Sequence, residues 1–112
     1  MSLLKCKYHG EAGSMPYVSI GLADKINNRV YLESSSIKTV HVVFNDEGEY
    51  LFDRYYFFIE DVFKKLSLKE EYIVDTDEEE KDFEELFFNQ LGITCIDCFK
   101  DYMKEIGYAY SL

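Results

Sequence analysis

The sequence predicts an α+β domain: a small antiparallel sheet followed by helices, with the N-terminal segment tied to the last helix. Three observations carry that expectation. β-forming residues crowd the first half of the chain. In the second half, apolar residues recur at helical spacing and are preceded by helix-start signals. Two short pairs of metal-ligand residues stand near opposite ends and need to meet to be useful.

The chain has 112 residues, which suits one domain over residues 1–112. Hydrophobic residues make up 47% and aromatic residues 17%, a composition that excludes a disordered chain. Ten Tyr and nine Phe each bring a large buriable area, so a short chain can still build a core. Pro16 is the single proline, and no Pro- or Gly-rich linker marks an internal boundary.

Taken in order, Cys6-Lys7-Tyr8-His9-Gly10 reads as a tight turn in which Gly10 can take a positive φ. Tyr17, Val18, Ile20 and Leu22 suggest a first strand, Asn27-Asn28 a turn, and Val30, Tyr31 and Leu32 a second strand. Residues 37–44 suggest a third strand and, after a turn at Asp46-Glu47-Gly48, residues 49–52 a fourth. From Tyr55 the period becomes helical, with Tyr55, Ile59, Val62 and Leu66 on one face and Lys64 and Lys65 near the end. A buried strand over residues 55–59 competes, because these are five consecutive large apolar residues. Thr76 and Glu79 form a capping box ahead of the stripe Phe83, Leu86, Phe87 and Leu91, with Gly92 as a stop. Thr94 with Asp97 is a weaker start signal for a last helix, whose apolar face of Ile96, Phe99, Met103 and Ile106 runs to Gly107.

The ligand pairs are Cys6-x-x-His9 and Cys95-x-x-Cys98, which use all three cysteines and one of the two histidines. A spacing of three lets one turn of backbone aim two side chains at one point. Three thiolates and an imidazole complete a tetrahedron with no position left for water, the pattern of one structural zinc ion. The second pair opens a predicted helix, whose positive end favours thiolates.

A Cys-x-x-His-Gly knuckle paired with a distant Cys-x-x-Cys at a helix start resembles the treble-clef zinc architecture. The resemblance covers both ends of the chain and implies that about residues 45–91 are an insertion with structure of its own. Other readings of the same residues stay open. Cys6 and His9 can be ordinary exposed residues, Cys95 and Cys98 buried core cysteines, or the latter a redox pair at a helix start. Three cysteines cannot all pair within one chain, which argues against a disulfide framework and for reduced thiols in the cytosol.

The formal net charge is −10. Twelve basic against twenty-two acidic residues disfavour nucleic acid and anionic membrane surfaces. No apolar run reaches the roughly 20 residues of a membrane span, and the first residues lack the long apolar stretch of a secretory leader. Residues 70–85 carry ten acids and one base, Lys81. Within this segment Asp77, Glu78, Glu79, Glu80, Asp82, Glu84 and Glu85 fall on a helix opposite its apolar stripe. They form either a solvated face or a docking surface for a basic protein. In size and charge the chain is similar to the small acidic bacterial immunity proteins that neutralise nuclease toxins. That likeness implies an inhibitory, non-enzymatic role.

Two alternatives follow: a regulator or adaptor whose zinc finger itself contacts a partner through residues such as Tyr8, or a metal-dependent hydrolase using His41. His41 is the histidine left over once His9 is a ligand, and it lies between Val40 and Val42. No nucleophile elbow or phosphate-binding glycine loop accompanies it.

Overall fold

The computed structural model describes residues 3–110. Its central element is a strand that is apolar on both faces. β1 (Leu3–Cys6) and β2 (Gly10–Ser19) form a hairpin, followed by α1 (Ile20–Asn27), β3 (Ile37–Asp46) and β4 (Glu49–Ile59). Then come α2 (Glu60–Lys65), β5 (Glu71–Val74), α3 (Asp77–Phe87), β6 (Leu91–Cys95) and α4 (Ile96–Ile106). The sheet runs β1-β2-β4-β3-β5, with β6 also paired to β2.

The five large residues at 55–59 resolve in favour of the strand. Side chains on a strand alternate between faces. Phe57 therefore enters one buried cluster, while Tyr56 and Phe58 enter another on the opposite face. The expected helix beginning at Tyr55 gives way to β4 and the short α2. A strand buried on both faces reads as a continuous apolar run, and so mimics one side of a helix at i and i+4.

Helices cover both faces. α1 and α4 pack over the cluster that contains Val18, Leu22, Ile26, Phe57, Phe99 and Met103. α3 closes the other, where Phe87 makes edge-on contacts with Tyr56, Phe58 and Tyr72. Such T-shaped pairs add to the area each ring buries.

The α+β class and the link from the N-terminus to the last helix hold, but the sheet is mixed rather than antiparallel. β2 pairs with β4, and β3 with β5, in parallel. β5 and β6 also come late in the chain, between helices. Both are short, at four and five residues, and leave little periodic signal.

The expected strand over Tyr17–Leu22 stops at Ser19, whose hydroxyl accepts the Leu22 N–H and starts α1. This is the N-cap chemistry of serine overriding a β-rich composition. Asn28 then ends α1 rather than turning a hairpin. Residues 30–32 form no strand. The Tyr102 hydroxyl instead donates to the Val30 carbonyl at 2.7 Å and accepts the Leu32 N–H at 2.8 Å. One phenol thereby satisfies two backbone groups that a strand would otherwise pair.

α3 starts as expected. Thr76 Oγ accepts the Glu79 N–H, and the Thr76 hydroxyl donates to the Glu79 carboxylate. Gly107 ends α4 in the left-handed conformation, φ 71°. Gly92, expected to stop α3, lies within β6 instead. Its role is close approach: a Cβ there would lie 3.0 Å from the Ala23 Cβ and 3.1 Å from the Ile20 Cα of α1. Gly92→Ala is therefore expected to push α1 off the sheet and cost about 1–3 kcal/mol, read as a lower urea midpoint at unchanged m.

Candidate metal centre

The two ligand pairs come together because of two registers. In the β1–β2 hairpin Cys6 lies opposite Gly10, closing a three-residue turn that contains His9. Gly10 adopts φ 73°, which the turn requires and L-residues avoid. Along the same strand, Ser14 lies opposite Cys95 at the end of β6. The chain then enters α4, with Cys95 as its N-cap and Cys98 in its first turn. Thr94, expected as the cap, is a buried residue within β6 and donates its hydroxyl to the Asn27 side-chain oxygen at 2.7 Å.

The donor atoms of Cys6, His9, Cys95 and Cys98 all lie within 4.8 Å of one another. The His9 Nδ1 is 3.5 Å from the Cys6 sulfur, 3.4 Å from Cys98 and 3.8 Å from Cys95. The Cys6 and Cys98 sulfurs are 3.3 Å apart. Cys95 and Cys98 are buried, while Cys6 and His9 are half-buried. The set is compatible with one metal ion. No pair within it is a disulfide.

The geometry of the cluster shifts its thiols in opposite directions. The Tyr8 N–H, donating to the Cys6 sulfur at 3.4 Å, leads in pulling that thiol down to about 6. Burial first, and then the neighbouring Cys6 sulfur, pushes the Cys98 thiol up to about 12. The Cys6 sulfur is also the main cause that raises the His9 imidazole. Several thiolates in one small volume repel each other, and a bound cation removes that opposition.

Asp101 is the residue that sequence reasoning missed. Its carboxylate lies 2.9 Å from His9 Nε2, so the imidazole presents Nδ1 to the sulfurs and Nε2 to the acid. A carboxylate on the far nitrogen fixes the ring and strengthens it as a ligand. The signal was available: Asp101 follows Cys98 by three residues, on the same side of α4. Asp101→Ala is expected to weaken metal affinity by about tenfold while leaving the stoichiometry unchanged, measured by competition with a chromogenic chelator.

The predicted partner-binding acids lie apart from this centre. Asp77, Glu78, Glu79, Glu80, Asp82, Glu84 and Glu85 are all exposed on α3. His41 is elsewhere again, on β3, stacked on Tyr55 at 4.6 Å. Its Nε2 lies 2.7 Å from Asp53, and its Nδ1 lies 3.7 Å from Glu71.

The Tyr50 hydroxyl donates to Asp53 and, ahead of His41, lowers the Asp53 carboxyl below its ordinary 3.8. A depressed acid stabilises the fold above its unfolded pKa. That increment is expected to fade as pH falls below about 4 through the lowered value, and Asp53→Asn should remove this part of the acid transition.

No protein-family model matches the chain, and no similar curated protein or solved structure was found.

Proposed function

We propose that this protein is a small zinc-stapled binding module, cytosolic and non-enzymatic, that uses the acidic face of α3 to hold a basic protein, as an inhibitor or immunity-type protein does. Two parts of the structure support the reading.

The first is the donor set. Three thiolates and an imidazole suit zinc and close its sphere. Metal–sulfur bonds of about 2.3 Å and metal–nitrogen bonds of about 2.0–2.1 Å place tetrahedral ligand atoms roughly 3.5–3.8 Å apart. The three sulfur–nitrogen separations of 3.4–3.8 Å fit, while the Cys6 and Cys98 sulfurs, at 3.3 Å, would have to move apart by about 0.5 Å to reach tetrahedral spacing. A knuckle supplies two ligands and a helix start the other two, which resembles the treble-clef arrangement. The zinc staples the fold, so function lies elsewhere.

The second part is the observation that carries the proposal. The inner side of α3 is fixed to the core through Phe83 and Phe87, and among the described residues no carboxylate of α3 makes an ion pair. An acidic surface packed onto the core and left without ion pairs speeds the approach of a basic partner. It also repels nucleic acid and anionic lipid. Capture of a basic protein from native extract should therefore fail at high salt, and should fall about tenfold or more on joint charge reversal of Glu78, Glu79 and Glu80. Capture that ignores both changes rules the acidic face out.

A second reading, an adaptor that binds through the knuckle itself, has one observation in its favour. Tyr8 is half exposed beside the metal site, under the Arg29 guanidinium at 3.7 Å. Binding that survives the α3 reversal but not Tyr8→Ala would select it.

A further inference from the structure

The groove beside α3 extends this reading, on which the following rests. Between α3 and the end of the β3–β4 hairpin lies an open cavity of about 700 Å³. Its floor is aromatic: Phe44, Phe52, Tyr56 and Phe83 pack against one another. The hairpin turn is held to the lead-in of α3 by the Gly48 N–H, which donates to Asp75 at 2.8 Å. The groove is thus built into the fold by a specific contact between its two walls.

Two apolar side chains stand open at its edges. Leu51 is 56% exposed, and Phe88, at 78%, is the most exposed large hydrophobic side chain among the described residues. A contiguous apolar surface rimmed by polar and charged residues marks an interaction site. The lining carries Asp46, Asp75, Asp77, Glu80 and Glu84 against one cation, Arg54. That guanidinium is already engaged with rings, 4.4 Å from Tyr17 and 5.3 Å from Phe52. An anionic small molecule would face five carboxylates to reach it.

We propose that the groove takes an amphipathic basic segment of another protein, with its apolar side chains on the aromatic floor and its lysines or arginines toward the acidic rim. The acidic face of α3 supplies attraction at a distance, and the groove supplies the apolar contact that distinguishes one basic partner from another.

The test is isothermal titration of the metal-loaded full chain with two peptides of about 15 residues and equal positive charge. One carries leucine and lysine at helical spacing, and the other replaces leucine by serine. The leucine peptide is expected to bind at least about tenfold more tightly, as burial of one or two leucines requires. Leu51→Ser with Phe88→Ser should abolish that preference at an unchanged unfolding midpoint, since both side chains are exposed. Glu80→Lys should weaken both peptides.

Equal affinity for the two peptides overturns the groove and leaves the acidic-face reading standing. A preference that survives the double variant also overturns it. Binding of neither peptide overturns both readings. Binding of an anionic naphthalenesulfonate more tightly than the leucine peptide, and lost in Arg54→Ala, overturns the proposal in favour of an anionic small molecule.

Discussion

Cys98→Ser is expected to lower the thermal midpoint by roughly 15–25 °C, and a strong chelator should do the same to the unaltered chain. The magnitude follows from chain entropy. A bound ion would tie Cys6 to Cys98, which are 92 residues apart. Closing a loop of about that length in the unfolded chain is worth roughly 4–5 kcal/mol in the cross-link picture. At about 3–6 °C per kcal/mol for a domain of this size, that gives the stated shift.

The effect spreads beyond the ligands. α4 carries Phe99, Tyr102 and Met103 into the core, and Tyr102 holds the 30–32 segment. Loosening the helix start therefore loosens one face of the sheet. A paired control separates metal from packing. In the presence of chelator, Cys98→Ser should differ little from the unaltered chain, because a thiol-to-hydroxyl change alone removes little buried area. A large difference there would assign the loss to packing.

Phe57→Ala is the second large expected effect, at about 3–5 kcal/mol. Phe57 is fully buried, 5.0 Å from Phe99 and 6.0 Å from Tyr110, at the centre of the α1–α4 side of the sheet. Phe58, its neighbour in sequence, is equally buried on the opposite face, against Phe87. The two alanine variants should lower the urea midpoint by similar amounts. They should differ in metal retention, because Phe57 supports α4 directly, whereas Phe58 supports the acidic helix. Faster chelator-driven metal loss is expected for Phe57→Ala than for Phe58→Ala. Equal rates would mean that the two sides of the sheet act as one unit.

Much of the Cys6, His9, Cys95 and Cys98 cluster was legible because its signals are local. A ligand spacing of three, a glycine after the second ligand and a helix start need no tertiary information. The capping box at Thr76 and Glu79, the stripe through Phe83 and Phe87 and the stop at Gly107 were readable for the same reason. What failed depended on context. The second half of β4, residues 55–59, looked helical ahead of the competing strand because the periodicity of an all-apolar run cannot say which faces are covered. Residues 30–32 looked like a strand, but their backbone partner is a phenol 70 residues away. Gly92 looked like a helix stop, since its close approach to α1 exists only in the folded state. Asp101 was within reach, but a search for ligands alone passes over the acid that orients one of them.

Cys6, His9, Cys95 and Cys98 are proposed to hold one structural zinc ion. Elemental analysis of the purified chain by mass spectrometry, with a thiol titration before and after denaturation in chelator, tests it most directly. The expected result is one zinc per chain, no reactive thiol in the native protein and three after chelation. A metal-free, fully folded chain whose thiols react freely in the native state would contradict it.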